Sequence, residues 1–241
     1  VIEDDIDLAD AAGDAARAKA LRLRATGLYE RAQGYAARLL GPVEVRRELE
    51  DPRADVAKAR LAKLRKADVP GLFWFTMAWV GRINMDQSDP ARIAEVPRAE
   101  LLGARVIELD ERYFDGLPLL MAGGVAAGRP AMFGGDPVKG KELFERGIAV
   151  SDGKFLLGRF LYARYYAVLV QDHALYCSLL REVLAAPDDS LPRRQLMNNV
   201  SKRWAARWLG RAGDLFAEGG ACPAPAPAPG TNVEVDDGSL E

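Results

Sequence analysis

Read for the spacing of its apolar and polar positions, the chain is helical throughout. No long segment shows the every-other-residue alternation of a half-buried strand. Ala11 to Leu40, rich in Ala, Leu and Arg, predicts a long first helix that stops at Gly41-Pro42. Asp51-Pro52, Asp89-Pro90 and Asp136-Pro137 each set a capping carboxylate before a proline. The missing proline N–H costs nothing in a first turn, so each pair predicts a helix start.

Four segments then share one form, a helix ending in an apolar residue, a short polar turn, and a more apolar helix. They read LRKADVPGLFWF from Leu64, IELDERYFDGLPLL from Ile107, IAVSDGKFLLGRFL from Ile148 and LAAPDDSLPRRQLM from Leu184. They recur at intervals of roughly 40 residues, between tetratricopeptide and longer helical-hairpin repeats, which predicts an all-α fold, an irregular α-solenoid or helical bundle of tetratricopeptide-like hairpins. One helix of each hairpin is amphipathic and the other nearly apolar all round, implying burial on both sides. The run LLMAGGVAAG, Leu119 to Gly128, adds small residues that let backbones approach closely. Residues 1–218 read as a single domain, and 219–241 as a Pro-rich extended tail that cannot build a core.

Composition narrows the options. A membrane span needs about 20 apolar residues in a row, and the uncharged run from Gly71 to Gly81 is short and closed by Arg82, so the chain reads as soluble. At 241 residues and 49% hydrophobic it can bury a substantial core. A net charge of −2, with Lys and Arg spread among Asp and Glu, gives no reason to expect nucleic acid. Cys177 and Cys222 form no metal-type spacing and are not expected to pair. The start at Val1 reads as the beginning of a chain from which a preceding segment was removed.

Catalytic chemistry is hard to place. With His173 as the one histidine there is no HExxH, no paired Glu-x-x-His and no Cys/His zinc cluster, and no Gly-x-Gly exists among 23 glycines. No metal and no cofactor is therefore expected. GDPVKGKE, Gly135 to Glu142, has the glycine-lysine spacing of a phosphate loop, but Glu142 replaces the hydroxyl residue and Pro137 removes a cradling N–H. It reads as a capped helix start. His173 beside Asp172 reads as a helix end or an inter-helix contact, because adjacent helical residues do not face each other. Trp204 and Trp208, interleaved with Lys202, Arg203, Arg207 and Arg211, read as core packing with arginines reaching out to solvent.

From LFWFTMAWVGRINM at Leu72, through GRPAMFGGDPVKGKELFERGIAVSDGKFLLGRFLYARYYAVLVQDHALYCSLLREVL at Gly128, the order of features resembles one family. It is similar to the T component of tripartite ATP-independent periplasmic (TRAP) transporters, the TatT family. The likeness rests on the aromatic helix ending in Ile83-Asn84, the Arg129-Pro130 exit, the Gly134-Gly135-Asp136-Pro137 turn, and the Tyr162 to Tyr166 helix leading to Gln171-Asp172. It runs from about residue 72 to about residue 216. The resemblance implies a tetratricopeptide-like periplasmic protein without catalytic residues. It also implies partnership with a periplasmic solute-binding protein, a hydrophobic passage, a lipoprotein anchor to the outer membrane in many members, and a homotrimer in some. The expected ligand is a hydrophobic small molecule or lipid of fatty acid, sterol or hopanoid type. A scaffold for protein partners, with no small-molecule ligand, is the alternative.

In a solenoid one helix of each hairpin faces inward, which sets Trp74, Met77, Gly81 and Asn84 in one line at helical spacing. An apolar wall with few polar groups suits a lipid-like ligand, and methionine adapts to irregular shapes. Leu120, Gly124, Phe133, Tyr162, Tyr166 and Asn199 are candidates for the same cavity, Phe133 as a gate in its Gly-rich turn. Taken singly, each reads equally well as core.

Overall fold

The computed structural model describes residues 2–86, 88–128, 134–218 and 220–223. Among these it is all helix with no strand, as the patterning predicts. The chain opens with α1 (Ile2–Ala11) and α2 (Ala15–Leu40), then the short α3 (Val43–Glu50) and α4 (Ala54–Leu61). It continues through α5 (Val69–Met85), the one-turn α6 (Pro90–Ile93), α7 (Val96–Asp110), α8 (Tyr113–Ala127) and α9 (Pro137–Val150). Next comes α10 (Leu157–Leu161), which runs on into a π-helical turn at Tyr162–Ala167, then α11 (His173–Ala185), α12 (Gln195–Leu209) and the one-turn α13 (Ala212–Leu215).

Local chemistry explains most boundaries. Asp14 accepts the Arg17 N–H, so the long helix begins at Ala15 rather than Ala11, and Gly41 at φ 119° ends it. Asp89 and Asp136 accept the Ala91 and Lys139 N–H groups and open α6 and α9 as expected. Asp51 does otherwise. Its carboxylate binds the Arg53 N–H and the Arg53 guanidinium, closing a turn on itself, and α4 begins only at Ala54.

The predicted turns separate α4 from α5, α7 from α8, α9 from α10 and α11 from α12. The first pairing is nevertheless different from the expected hairpin, because α5 packs antiparallel to α2. Gly71 admits Leu40, to which a Cβ there would come within 3.0 Å, and Gly81 admits the Tyr29 ring, to which a Cβ would come within 2.3 Å. Close approach through small residues recurs between α8 and α9. A Cβ on Gly140 would stand 2.8 Å from the Ala127 Cβ, and one on Gly147 would stand 2.6 Å from Leu120.

Helix α8 starts in an unusual way. Phe114, Asp115 and Gly116 take left-handed angles, φ 48°, 59° and 84°, before regular helix resumes. Two of these are not glycine, which needs surrounding structure to hold them. That hold comes from Asp115, a buried carboxylate that accepts hydrogen bonds from Arg193 and, at 2.7 Å, from Arg194. The Arg194 guanidinium also lies 3.4 Å from the centre of the Phe114 ring. Burial pushes the Asp115 pKa up, but the hydrogen bonds and charges of Arg193 and Arg194 outweigh it, so its carboxyl sits below the usual range.

A single apolar core runs through the molecule, from Leu49 through Phe75, Trp79, Leu102 and Phe144 to Phe160, Tyr176 and Leu180. Each such side chain stabilises the fold by about 1.5–3 kcal/mol when fully buried. Polar contacts tie helix α1 to α12 and to the π-helical turn. Asp4 accepts from Trp204 Nε1 at 2.8 Å and pairs with Arg207 at 3.2 Å, while Asp7 lies 3.8 Å from Arg164.

The end of the chain corrects an expectation, because Cys177 and Cys222 form a disulfide, with Cα atoms 5.6 Å apart. After α13, Phe216 packs edge-on against Tyr176 and His173. Gln171 donates to the Leu215 carbonyl and accepts from the Ala217 N–H. The chain therefore doubles back over α11 and carries residue 222 to residue 177. Residues 224–241, most of the expected tail, lie outside the described residues.

Candidate functional site

Helix α7 packs on α5 and also meets α4 and α8. Arg105 donates to the Leu61 and Leu64 carbonyls at the end of α4, and Glu95 accepts from Trp79 Nε1 at 2.6 Å and Arg82 at 2.7 Å. These bonds anchor α7 to α4 and α5. Between α5, α7, α8 and α9 a groove of about 840 Å³ remains.

Its walls are apolar because two of the four helices are apolar all round. Helix α5 spends one face on α2 and presents Phe73, Met77 and Val80 to the groove, while α8 spends one face on α9 and presents Met121, Ala122, Val125 and Ala126. The amphipathic α7 and α9 add Leu101, Val106, Ile107 and Leu143, and their polar positions, Glu100, Glu108, Lys139 and Arg146, line the rim. Thr76 lies within, but its hydroxyl donates to the Leu72 carbonyl at 2.8 Å and presents no unmet polar group. Arg146 pairs with Glu111 at 2.5 Å beside the mouth. Small residues, Gly103 and Ala104 on α7 and Ala122 and Ala126 on α8, leave the volume open.

The residues singled out from the sequence fall in several places. Met77 lines the groove. Trp74 is 40% exposed and meets Phe73 and Phe114 edge-on. Gly81 faces the Tyr29 ring, and Asn84 is exposed near the end of α5. Leu120 is fully buried against α9, and Gly124 lies under the Tyr165 ring. Tyr162 stacks on Phe144 at 5.2 Å, and its hydroxyl is raised above its ordinary pKa, first by burial and then by the charge of Glu145. Tyr166 packs beside Tyr162. Asn199 is exposed, whereas its neighbour Asn198 is buried, accepting the Leu156 N–H and donating to the Lys154 carbonyl. Phe133 lies outside the described residues.

The groove's other lining residues escaped the sequence reading. Met121 and Val125 carried a usable signal, since they stand four apart on the side of α8 opposite Gly123 and Ala127. Elsewhere, Asp172 caps α11 by accepting the Leu175 N–H, so it is committed to the helix end rather than to His173. Trp204 packs on Phe160, and Trp208 lies beneath Arg164 and Arg211, as core packing with outward arginines.

No helix among the described residues is long and apolar enough to cross a membrane. A family model described as TRAP transporter T-component matches residues 1–216, nearly the whole helical body. No curated protein matches the chain.

Proposed function

The chain belongs to the TRAP transporter T-component family, and from that premise we propose that it is a non-catalytic periplasmic carrier whose groove holds a hydrophobic, lipid-like ligand. It takes a ligand of fatty acid, sterol or hopanoid type from, or passes it to, a periplasmic solute-binding protein. A lipid anchor to the outer membrane and assembly as a trimer are compatible parts of the same proposal.

The observation that carries this reading is the groove itself. Its volume of about 840 Å³ falls within the about 300–1,000 Å³ of small-molecule sites. Its walls are mainly apolar, of Phe, Met, Val, Leu, Ile, Pro and Ala around Thr76, and the charged residues among them are exposed. Such a site removes an alkyl chain or fused ring system from water, worth about 0.8 kcal/mol for each buried methylene. Rim charges then orient a polar headgroup. Met77 and Met121, on facing helices, reshape the walls at little cost.

The test fills the groove without touching the core. Ala122→Trp places an indole in the open volume, and binding of a fluorescent fatty acid and of a sterol is compared with the unaltered protein. The expected result is at least about a tenfold loss of affinity with helicity unchanged. Failure of the unaltered protein to bind any apolar ligand, or equal binding by the variant, overturns the proposal and leaves the scaffold reading.

A further inference from the structure

The sequence holds one histidine and two cysteines in 241 residues, and all three meet at one place. A donor atom from each of His173, Cys177 and Cys222 lies within 4.8 Å of the other two. His173 and Cys177 stand four apart on α11, a spacing that puts two side chains on one face of a helix. His173 Nε2 lies 3.5 Å from the Cys177 sulfur. Cys222 arrives with the returning chain, which Phe216 holds against the His173 ring at 5.1 Å.

A disulfide needs only two of these residues. An imidazole nitrogen beside the sulfurs is what a soft cation needs, because thiolate and imidazole together select thiophilic d10 ions. A cation about 2.3 Å from each sulfur and about 2.0 Å from the nitrogen holds its donors roughly 3.5–3.8 Å apart. The cluster spans no more than 4.8 Å, so side-chain rotation reaches that geometry once the S–S bond is open. Cys177 is 2% exposed and sits within its helix, whereas Cys222 is partly buried and lies past the last helix, so its side chain is not held by helical backbone.

We propose that the Cys177–Cys222 disulfide and a His173–Cys177–Cys222 site for a thiophilic d10 cation such as Zn2+ are two closed states of one clasp. A dithiol opens the first state, giving two electrons and two protons to the S–S bond, leaving two cysteine thiols and becoming a disulfide itself. The cation then displaces both thiol protons and binds two thiolates and the neutral imidazole. Both states hold the C-terminal segment on α11. The reduced, metal-free state holds it only through contacts such as those of Phe216 and Gln171.

The experiment reduces the full chain with a dithiol, removes the reductant under argon, and titrates Zn2+ against a chromogenic chelator, with Co2+ as the spectroscopic probe. Oxidised protein is the control. Reduced protein is expected to bind one ion per chain and to show thiolate-to-Co2+ charge-transfer absorption, while oxidised protein binds none at this site. His173→Ala is expected to weaken Zn2+ binding at least about tenfold, and Cys222→Ser to remove the competition with the chelator. Cys222 lies outside the helices, so far-UV circular dichroism of that variant separates loss of a ligand from loss of fold. Equal Zn2+ binding by reduced and oxidised protein, or unchanged affinity in His173→Ala, overturns the proposal.

Discussion

Helix α8 presents two faces of nearly the same composition that meet opposite fates. Toward α9 it turns Leu120, Gly123 and Ala127, and the contact is so close that Gly140 and Gly147 have no room for a Cβ. Toward α7 it turns Met121, Ala122, Val125 and Ala126, and about 840 Å³ stays open. Small apolar residues line both faces, so composition does not decide which one closes. The partner decides. Helix α9 offers glycines in step with those of α8, whereas α7 is tethered to α4 by Arg105 and to α5 through Glu95. A groove persists where the facing helix has its hydrogen bonds and charges committed elsewhere.

The largest effect is expected at the closed face. Gly140→Ala puts a methyl 2.8 Å from the Ala127 Cβ and 3.0 Å from its backbone nitrogen, atoms that move only with the helix. We expect a loss of about 2–3 kcal/mol, read from the urea midpoint at unchanged slope. A loss below about 0.5 kcal/mol would show that the two faces are equally loose and would break the comparison.

The next effect lies where the rotation of α8 is set. Asp115→Asn keeps a residue that tolerates the left-handed backbone but removes the charge facing Arg193 and Arg194. Severing a buried pair costs about 3–5 kcal/mol. Arg193 is largely exposed, so the expectation here is nearer about 2 kcal/mol. The sign with pH follows from the depressed carboxyl. Its stabilisation is complete above the ordinary carboxylate value of about 4 and is lost as the pH falls through and below that value. Acid unfolding of Asp115→Asn should therefore show a weaker pH dependence on that limb, measured by circular dichroism between neutral and acid conditions.

The chemistry of these elements sets how much the sequence reveals. Hairpin turns and caps are local, so Asp89 and Asp136 were readable, and Asp51 misled only because its carboxylate is used by Arg53 in its own turn. The orientation of α5 and α8 was not readable. A helix that is apolar on every side carries no polar stripe to say which residues meet a neighbour and which meet a space. Met77 was placed beside the opening, yet Gly81, on the same line, meets Tyr29 of α2, a partner more than 50 residues away that no local pattern announces. The disulfide was hidden for a similar reason. Its loop of 45 residues closes through Phe216 and Gln171, contacts made in space between segments that look unrelated in sequence.

At the open face, substitutions should cost little stability, and Ala122→Trp, expected to weaken ligand binding at least about tenfold, should change the unfolding free energy from urea titration by no more than about 0.5 kcal/mol. The smallest effect, and the one of opposite sign, belongs to Gly103 on the groove wall. A Cβ there meets only the Thr76 methyl, at 4.0 Å, an ordinary contact distance. The position lies inside α7 with no need for a left-handed backbone, so an alanine fits the native conformation while restricting the unfolded chain. Gly103→Ala should raise stability by about 0.5 kcal/mol, whereas the same change at Gly140 lowers it severalfold more. One added methyl thus reports whether a surface of this protein is packed or vacant. Destabilisation by Gly103→Ala would mean that α7 sits closer to α5 than the open groove requires.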